Sequence, residues 1–306
     1  MTIQADNNSY ARLLKEQGSF VIRVGDVDWY DYGRFMIPAY LPHCTPAVSE
    51  ETAQAVLKES GRPFVRWDSR FGKVEASEWW YVLKKGPWAI ENIKDKKKRW
   101  MIRQGQKNFS VRPLTFDEVV SKCPQVAELA AARYKGKTNI ETRQILERHI
   151  EAAGKVPSVL EYIGCFCENV MVSFSENYIQ NNAVWLATIR HDPAYLDRYS
   201  SYGFLDGILD YYLNEKKLLY VLDGWRNIYH RTDFQEHLIK VFGFTKEYAL
   251  LSIVYSPKLA VAVKAAYPFR RLLWALSGKM VNSTLDKSAA ILRQEHIRRA
   301  CAQMQR

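Results

Sequence analysis

Residues 158–189, SVLEYIGCFCENVMVSFSENYIQNNAVWLATI, decide how this chain folds. Three runs rich in β-branched and aromatic residues are separated by Glu168-Asn169 and by Gln180-Asn181-Asn182. Asparagine accepts the left-handed backbone of tight hairpins, so the pattern predicts a three-stranded antiparallel meander. His191-Asp192-Pro193 then ends the third strand, because proline cannot donate to a sheet ladder.

Downstream, Phe204, Leu205, Ile208, Leu209 and Tyr212 share one face of a helix expected from about Ser201 to Leu213. KLLYVLDG (217–224) reads as a short buried strand. Thr232 and Gln235 form a capping box ahead of an apolar stripe, Phe234, Leu238, Ile239 and Phe242, and Gly243 is placed to end that helix. EYALLSIVYSP (247–257) is the last strand. The order is three antiparallel strands, helix, strand, helix, strand, which is an α/β chain with a mixed sheet.

Upstream, Ser49 caps a helix to Ser60, with Glu50 and Glu51 at its positive end and Gly61 as its stop. PFVRWD (63–68) and EWWYVLKK (78–85) read as short strands, Ile90 to Gly105 as a helix, and NFSVRPL (108–114) as a strand. Thr115 with Glu118, and Thr138 with Glu141, open two further helices through reciprocal capping.

The net charge of +11 is concentrated rather than spread. Segments 94–107 and 270–306 each carry +6, from seven basic residues against Asp95 and from eight against Asp286 and Glu295. Such clusters suit an anionic partner, whether RNA, a membrane surface or a phosphorylated small molecule, and they also suit plain solvated helix faces. Leu272, Leu273, Trp274 and Leu276 beside Arg270, Arg271 and Lys279 have the composition of an interfacial amphipathic helix, or of a helix packed on the domain with its arginines outward. No run of about 18 apolar residues exists to span a bilayer, and the first residues lack a signal-peptide pattern. Five scattered cysteines fit a reducing compartment, so the expected location is cytoplasmic, with a peripheral membrane association as an option.

KRWMIRQGQKNFSVRPLTFDEV (98–119), the meander, DPAYLDRYSSYGFLDGILDYYL (192–213) and YVLDGWRNIYHRTDFQEHLIKVFGF (220–244) together resemble the core of the GNAT superfamily, and more narrowly its FemAB-like branch. The resemblance implies a GNAT-like acyl-CoA N-acyltransferase fold in two halves: residues 1–135 degenerate, residues 136–270 catalytic, with 271–306 as a basic helical tail. It implies transfer of an acyl group from acyl-CoA to a small-molecule or peptide amine, or from aminoacyl-tRNA as in some FemAB-like members. A non-catalytic nucleic-acid- or membrane-binding protein on the same fold is the third reading. Either basic segment would serve tRNA or an anionic membrane.

The resemblance also places a cleft between the third meander strand and the strand after the helix. At the position of the glycine-rich pyrophosphate loop this chain reads RHDPAYLDRYSSYG (190–203), with Gly203 as its one glycine. Arg190, Arg198, Ser200, Ser201, Tyr202 and Gly203 are the residues left to hold a phosphate at a helix N-terminus. Asp223 or His191 is expected as the base, and Tyr229 or His230 as the leaving-group acid that the family places before the next helix. Asp223-Gly224 also reads as a simple strand-ending turn, and Tyr199 and Tyr202 as a packed cleft edge. Cys165 and Cys167 share a strand face, but without a second pair at ligand spacing they read as core, and no metal is expected.

Overall fold

The computed structural model describes residues 8–133, 143–228, 233–277 and 284–304. In chain order the elements are α1 (Ser9–Glu16), β1 (Val21–Val24), β2 (Val27–Asp31), β3 (Met36–Pro38), α2 (Glu50–Ser60), β4 (Phe64–Ser69), β5 (Trp79–Lys85), α3 (Lys96–Asn108) and β6 (Ser110–Pro113). Then follow α4 (Phe116–Arg133), α5 (Arg143–Lys155), β7 (Leu160–Cys167), β8 (Val170–Gln180), β9 (Ala183–His191), α6 (Ser200–Leu209), β10 (Tyr220–Trp225), α7 (Phe234–Phe242), β11 (Thr245–Tyr255), α8 (Pro257–Ala266), α9 (Arg270–Leu276) and α10 (Thr284–Gln303). Among the described residues the strands form one mixed sheet in the order β1-β2-β3-β4-β11-β5-β10-β9-β8-β7-β6.

The meander forms where the sequence placed it, as β7, β8 and β9. Asn181 and Asn182 both take positive φ, 46° and 63°, giving the tight β8–β9 turn its primed geometry. Thr115 and Glu118 close their capping box: Glu118 N donates to Thr115 Oγ1 at 3.3 Å, and Thr115 N to Glu118 Oε2 at 3.2 Å. The Thr138–Glu141 box and Thr232 lie outside the described residues.

Three expectations change. The helix expected over 90–105 is a 3-10 turn at Ile90–Asn92 and then α3, because the Asp95 carboxylate accepts from Lys97 N and Lys98 N and starts the helix afresh. The strand expected from 217 begins at Tyr220, since Lys217 turns at φ 55°. Beyond Leu209 the α6 backbone widens into a π-helical turn, Asp210–Glu215. β1 to β3 were not anticipated at all.

The two halves share the sheet. β10 and β11 both run antiparallel to β5, so they are parallel to each other across the α7 crossover and leave a one-strand gap. β5, from the first half of the chain, fills it. Apolar side chains are buried on both faces. One layer lies under α1, α4 and α5, another under α3, α6 and α7, and a smaller one under α2. Fully buried rings such as Trp29, Trp79, Phe204 and Phe242 each contribute roughly 1.5–3 kcal/mol in apolar transfer.

The segment read as a basic tail contains α10, which packs along β11. Its Glu295 is 2% exposed and takes charged hydrogen bonds from Arg298 and Arg299. Burial pushes this carboxyl up, but the two guanidinium groups outweigh it and hold it below its ordinary value. Part of the C-terminal positive charge is therefore paired with a buried carboxylate.

Candidate active site

β9 and β10 are parallel neighbours only over Val184–Trp185 and Val221–Leu222, and then diverge. At the fork the Trp185 indole N–H donates to the Asp223 carbonyl at 3.0 Å, bridging the strands where their ladder ends. β10 is irregular at this point. Leu222 pairs with Leu83 and Gly224 with Val82, so Asp223 is an extra, bulged residue. Gly224 reaches φ 138°, a backbone region that side chains with a β-carbon rarely occupy.

Gln235, at the start of α7, holds the bulge. Its amide donates to Asp223 Oδ2 at 3.0 Å and to the Trp225 carbonyl at 3.0 Å, and its own oxygen accepts from Asn227 N at 3.3 Å. Burial raises the Asp223 carboxyl to about 6, and the hydrogen bond from Gln235 only partly offsets that. A carboxylate of this kind is ionised at neutral pH and is a stronger base than an ordinary aspartate.

His191 occupies a different place. It ends β9 six residues beyond Trp185, whereas Asp223 is one residue beyond Leu222 on β10. At about 3.3 Å per residue the two differ in height by roughly 15 Å along the strands. His191 is hydrogen-bonded through Nδ1 to Ser173 Oγ at 2.7 Å, and burial lowers its pKa to about 4, which keeps it neutral. The structure does not bring His191 and Asp223 together. Tyr229 and His230 lie outside the described residues.

The phosphate-binding candidates surround the start of α6. The chain enters through a 3-10 turn, Pro193–Arg198, and then Tyr199 at φ 68°. Arg198 lies over Phe109 and Tyr195, 5.7 Å from each ring, and Arg190 Nη1 donates to the Ile189 carbonyl at 3.3 Å. Ser200 is fully buried, and its hydroxyl has no partner among the described residues. Ser201 is half-buried, and the Tyr202 ring packs on His237 and Phe242.

Gly203 is occupied by packing. A β-carbon there would meet Gly105 C at 2.7 Å, and one on Gly105 would meet Gly203 N at 2.4 Å. α3 thus crosses the first turn of α6 in backbone contact, and Trp100 of α3 extends the ring row onto Tyr199. Helix α3 and the Trp100 ring crowd one side of the first turn of α6, while Arg198 just before it stays exposed.

On the opposite face of the fork lies a narrow cavity of about 40 Å³ between the two halves, bordered by Gly224, Trp185 and Trp225 on one side and by Tyr30, Tyr40 and Arg66 on the other. Arg66 is 3% exposed, and its guanidinium sits among Phe35, Trp79 and Trp225 at 4.6–5.1 Å from the ring centres. It also donates to Gln294 Oε1 at 2.9 Å. Asp68 borders the same cavity, accepting from Trp79 Nε1 at 2.8 Å and from the Tyr81 hydroxyl. Burial raises Asp68 to about 6 against the opposing pull of Arg66.

Further along the meander, Glu176 is buried with Tyr162 OH at 2.8 Å and His149 Nδ1 at 3.3 Å. Burial would raise this carboxyl, but hydrogen bonding and charge from His149, with Tyr162, hold it below its ordinary value. None of Arg66, Asp68, His149 or Glu176 was nominated from sequence. The available signal was Arg66 and Asp68 two apart in an apolar strand, which puts opposite charges on one face.

Solved structures of low sequence identity share this fold. FemX superposes with a TM-score of 0.54 at 7% identity, over 80% of this chain and 90% of its own. The fold is GNAT-like, of the FemAB kind. L-PGS from Bacillus licheniformis gives 0.52 at 11% identity over 93% of this chain and 91% of its own. The C-terminal domain of a putative lysylphosphatidylglycerol synthetase from Agrobacterium fabrum gives 0.51 at 10% over 85% and 92%. By sequence, the chain matches no family model and no curated protein. In this GNAT-like frame, β9 and β10 are the splayed pair and α6 is the helix behind them.

Proposed function

We propose that this chain is an acyltransferase that moves an acyl group from an activated carrier to an amine, with Asp223 as the base. The observation that carries the proposal is the fork of β9 and β10, where a bulge presents a half-buried carboxyl that is raised to about 6 and held by one hydrogen bond from Gln235. The amine nitrogen attacks the acyl carbonyl carbon and its proton passes to Asp223. The new C–N bond forms as the bond from the acyl carbon to the carrier's sulfur or oxygen breaks. Tyr229 or His230, which follow β10 in sequence, are assigned the proton that the leaving group takes up.

Acyl-CoA and aminoacyl-tRNA differ in what they ask of α6. Coenzyme A would rest its pyrophosphate on the turn holding Arg198, Ser200 and Ser201. The crossing of α3 over that turn favours the RNA carrier. Lys96, Lys97, Arg103 and Lys107 are exposed on α3, and Trp100 between them is 50% exposed, which suits a phosphate backbone and a stacked base.

The test is a titration of the purified chain with acetyl-CoA and with charged tRNA, followed by single-turnover transfer to an amine. Transfer from charged tRNA that Asp223→Asn abolishes supports the full reading. Transfer from acetyl-CoA would keep the chemistry and reverse the choice of carrier. Transfer that survives Asp223→Asn would remove Asp223 from the mechanism.

A further inference from the structure

An arm of two helices stands on the outside of the GNAT-like core. α8 and α9, joined by a 3-10 turn at Tyr267–Phe269, are tied down along one side only. Tyr267 OH is hydrogen-bonded to His296 Nδ1 at 3.0 Å, the Arg299 guanidinium covers the Tyr267 ring at 3.8 Å, and Trp274 meets the His296 ring edge-on. The other side is apolar and open. Val261, Phe269, Leu272 and Leu276 are 70%, 63%, 60% and 41% exposed, and the last three recur at helical spacing on one face.

The charge of the arm is one-sided as well. Between residues 256 and 277 there are four cations, Lys258, Lys264, Arg270 and Arg271, and no Asp or Glu. Lys258, Lys264 and Arg271 are exposed beside the apolar residues. Inserted rings and aliphatic chains with cations at the same level match the boundary of an anionic bilayer, where acyl chains meet phosphate headgroups. A second copy of the chain is a poorer match, because a twofold contact through this face would bring the cations of both copies together without a counter-charge.

We infer that the α8–α9 arm docks the protein on an anionic membrane surface, with Phe269, Leu272 and Leu276 inserted and Lys258, Lys264 and Arg271 on the headgroups. The arm's anchor leads to the fork. Arg293, one turn before His296 on α10, reaches the Ile228 carbonyl just after β10 at 3.5 Å. A bound protein would therefore hold that rim of the cleft close to the bilayer.

The experiment is co-sedimentation of the full chain with phosphatidylcholine vesicles containing about one quarter phosphatidylglycerol, set against pure phosphatidylcholine. The chain should favour the anionic vesicles, with binding weakened at high salt. The double variant Phe269→Ser/Leu272→Ser should bind about tenfold more weakly or worse, with an unchanged melting temperature, because both side chains are exposed. Equal binding by the variant would overturn the inference, since the α3 cations would then suffice. So would absence of binding by the parent chain, or a parent dimer in solution that the double variant dissolves.

Discussion

Replacing Asp223 by Asn should stabilise the protein at neutral pH while removing the proposed base. The folded chain holds this carboxyl at about 6 against an ordinary value near 3.8, chiefly through burial. A raised carboxyl contributes most to stability below the unfolded value, and that contribution is lost as pH rises through the folded one. The difference of about two units corresponds to roughly 3 kcal/mol at 1.36 kcal/mol per unit. Asp223 is not wholly shut off from solvent, which lowers the expectation to roughly 2 kcal/mol. Asparagine keeps an oxygen for the Gln235 amide and carries no charge at any pH. With an unfolding entropy of about 2.1 cal/mol/K per residue, roughly 2 kcal/mol in a chain of this length is about 3 °C. Thermal melts of both proteins from pH 4 to pH 8 should show Asp223→Asn about 3 °C higher at pH 7.5, with the gap closing toward pH 4. Transfer by the variant should fall by about 10²–10⁴. A gap that does not change with pH, or a variant that melts lower at pH 7.5, would refute the account of Asp223 as a carboxyl raised by burial.

Two further substitutions test the surroundings of the fork. Gly105→Ala would put a β-carbon 2.4 Å from Gly203 N and 2.8 Å from Tyr199 O, both backbone atoms that cannot rotate away. α3 and α6 must then part, at a cost of about 1–3 kcal/mol, read as a lowered melting temperature, and an unchanged melt would mean the helices do not touch. Asp68→Asn keeps an oxygen for Trp79 N–H and lets its NH₂ donate to the Tyr81 oxygen, so relief of a carboxyl raised to about 6 should leave the variant at least as stable as the parent at pH 7. Equilibrium unfolding measures this, and a less stable variant would mean that the charge Asp68 places beside Arg66 outweighs the cost of burying it.

The legible part of the fold was the part governed by local rules. The meander announced itself because side chains alternate and Asn181-Asn182 suits one turn type. The helices at Glu50 and Phe116 announced themselves through their caps. β1 to β3 were not legible. They are three to five residues long, interrupted by Gly25 and Gly33, and owe their existence to pairing with one another and with β4. The same division holds in the site. Asp223 could be nominated because it ends a recognisable strand. The cage around Arg66 could not, because Phe35, Trp79, Trp225 and Gln294 come from four remote parts of the chain and meet only once β5 is inserted beside β10.

Two carboxyls near the fork are raised to about 6, and their hydrogen bonds distinguish their roles. Asp68 has both oxygens engaged, one by an indole and one by a phenol, and a buried guanidinium nearby. With a donor on each oxygen and a guanidinium nearby, Asp68 holds Trp79, Tyr81 and Arg66 in place. Asp223 accepts one hydrogen bond, on Oδ2, and Oδ1 has none among the described residues. It also sits on a bulge, where the ladder makes no demand on its side chain. Burial raises both groups, yet only Asp223 combines a raised affinity for protons with a free oxygen to receive one. That combination, rather than the shift alone, is why the proposed mechanism takes Asp223 as its base, and under that proposal the acceptor amine would lie at the fork.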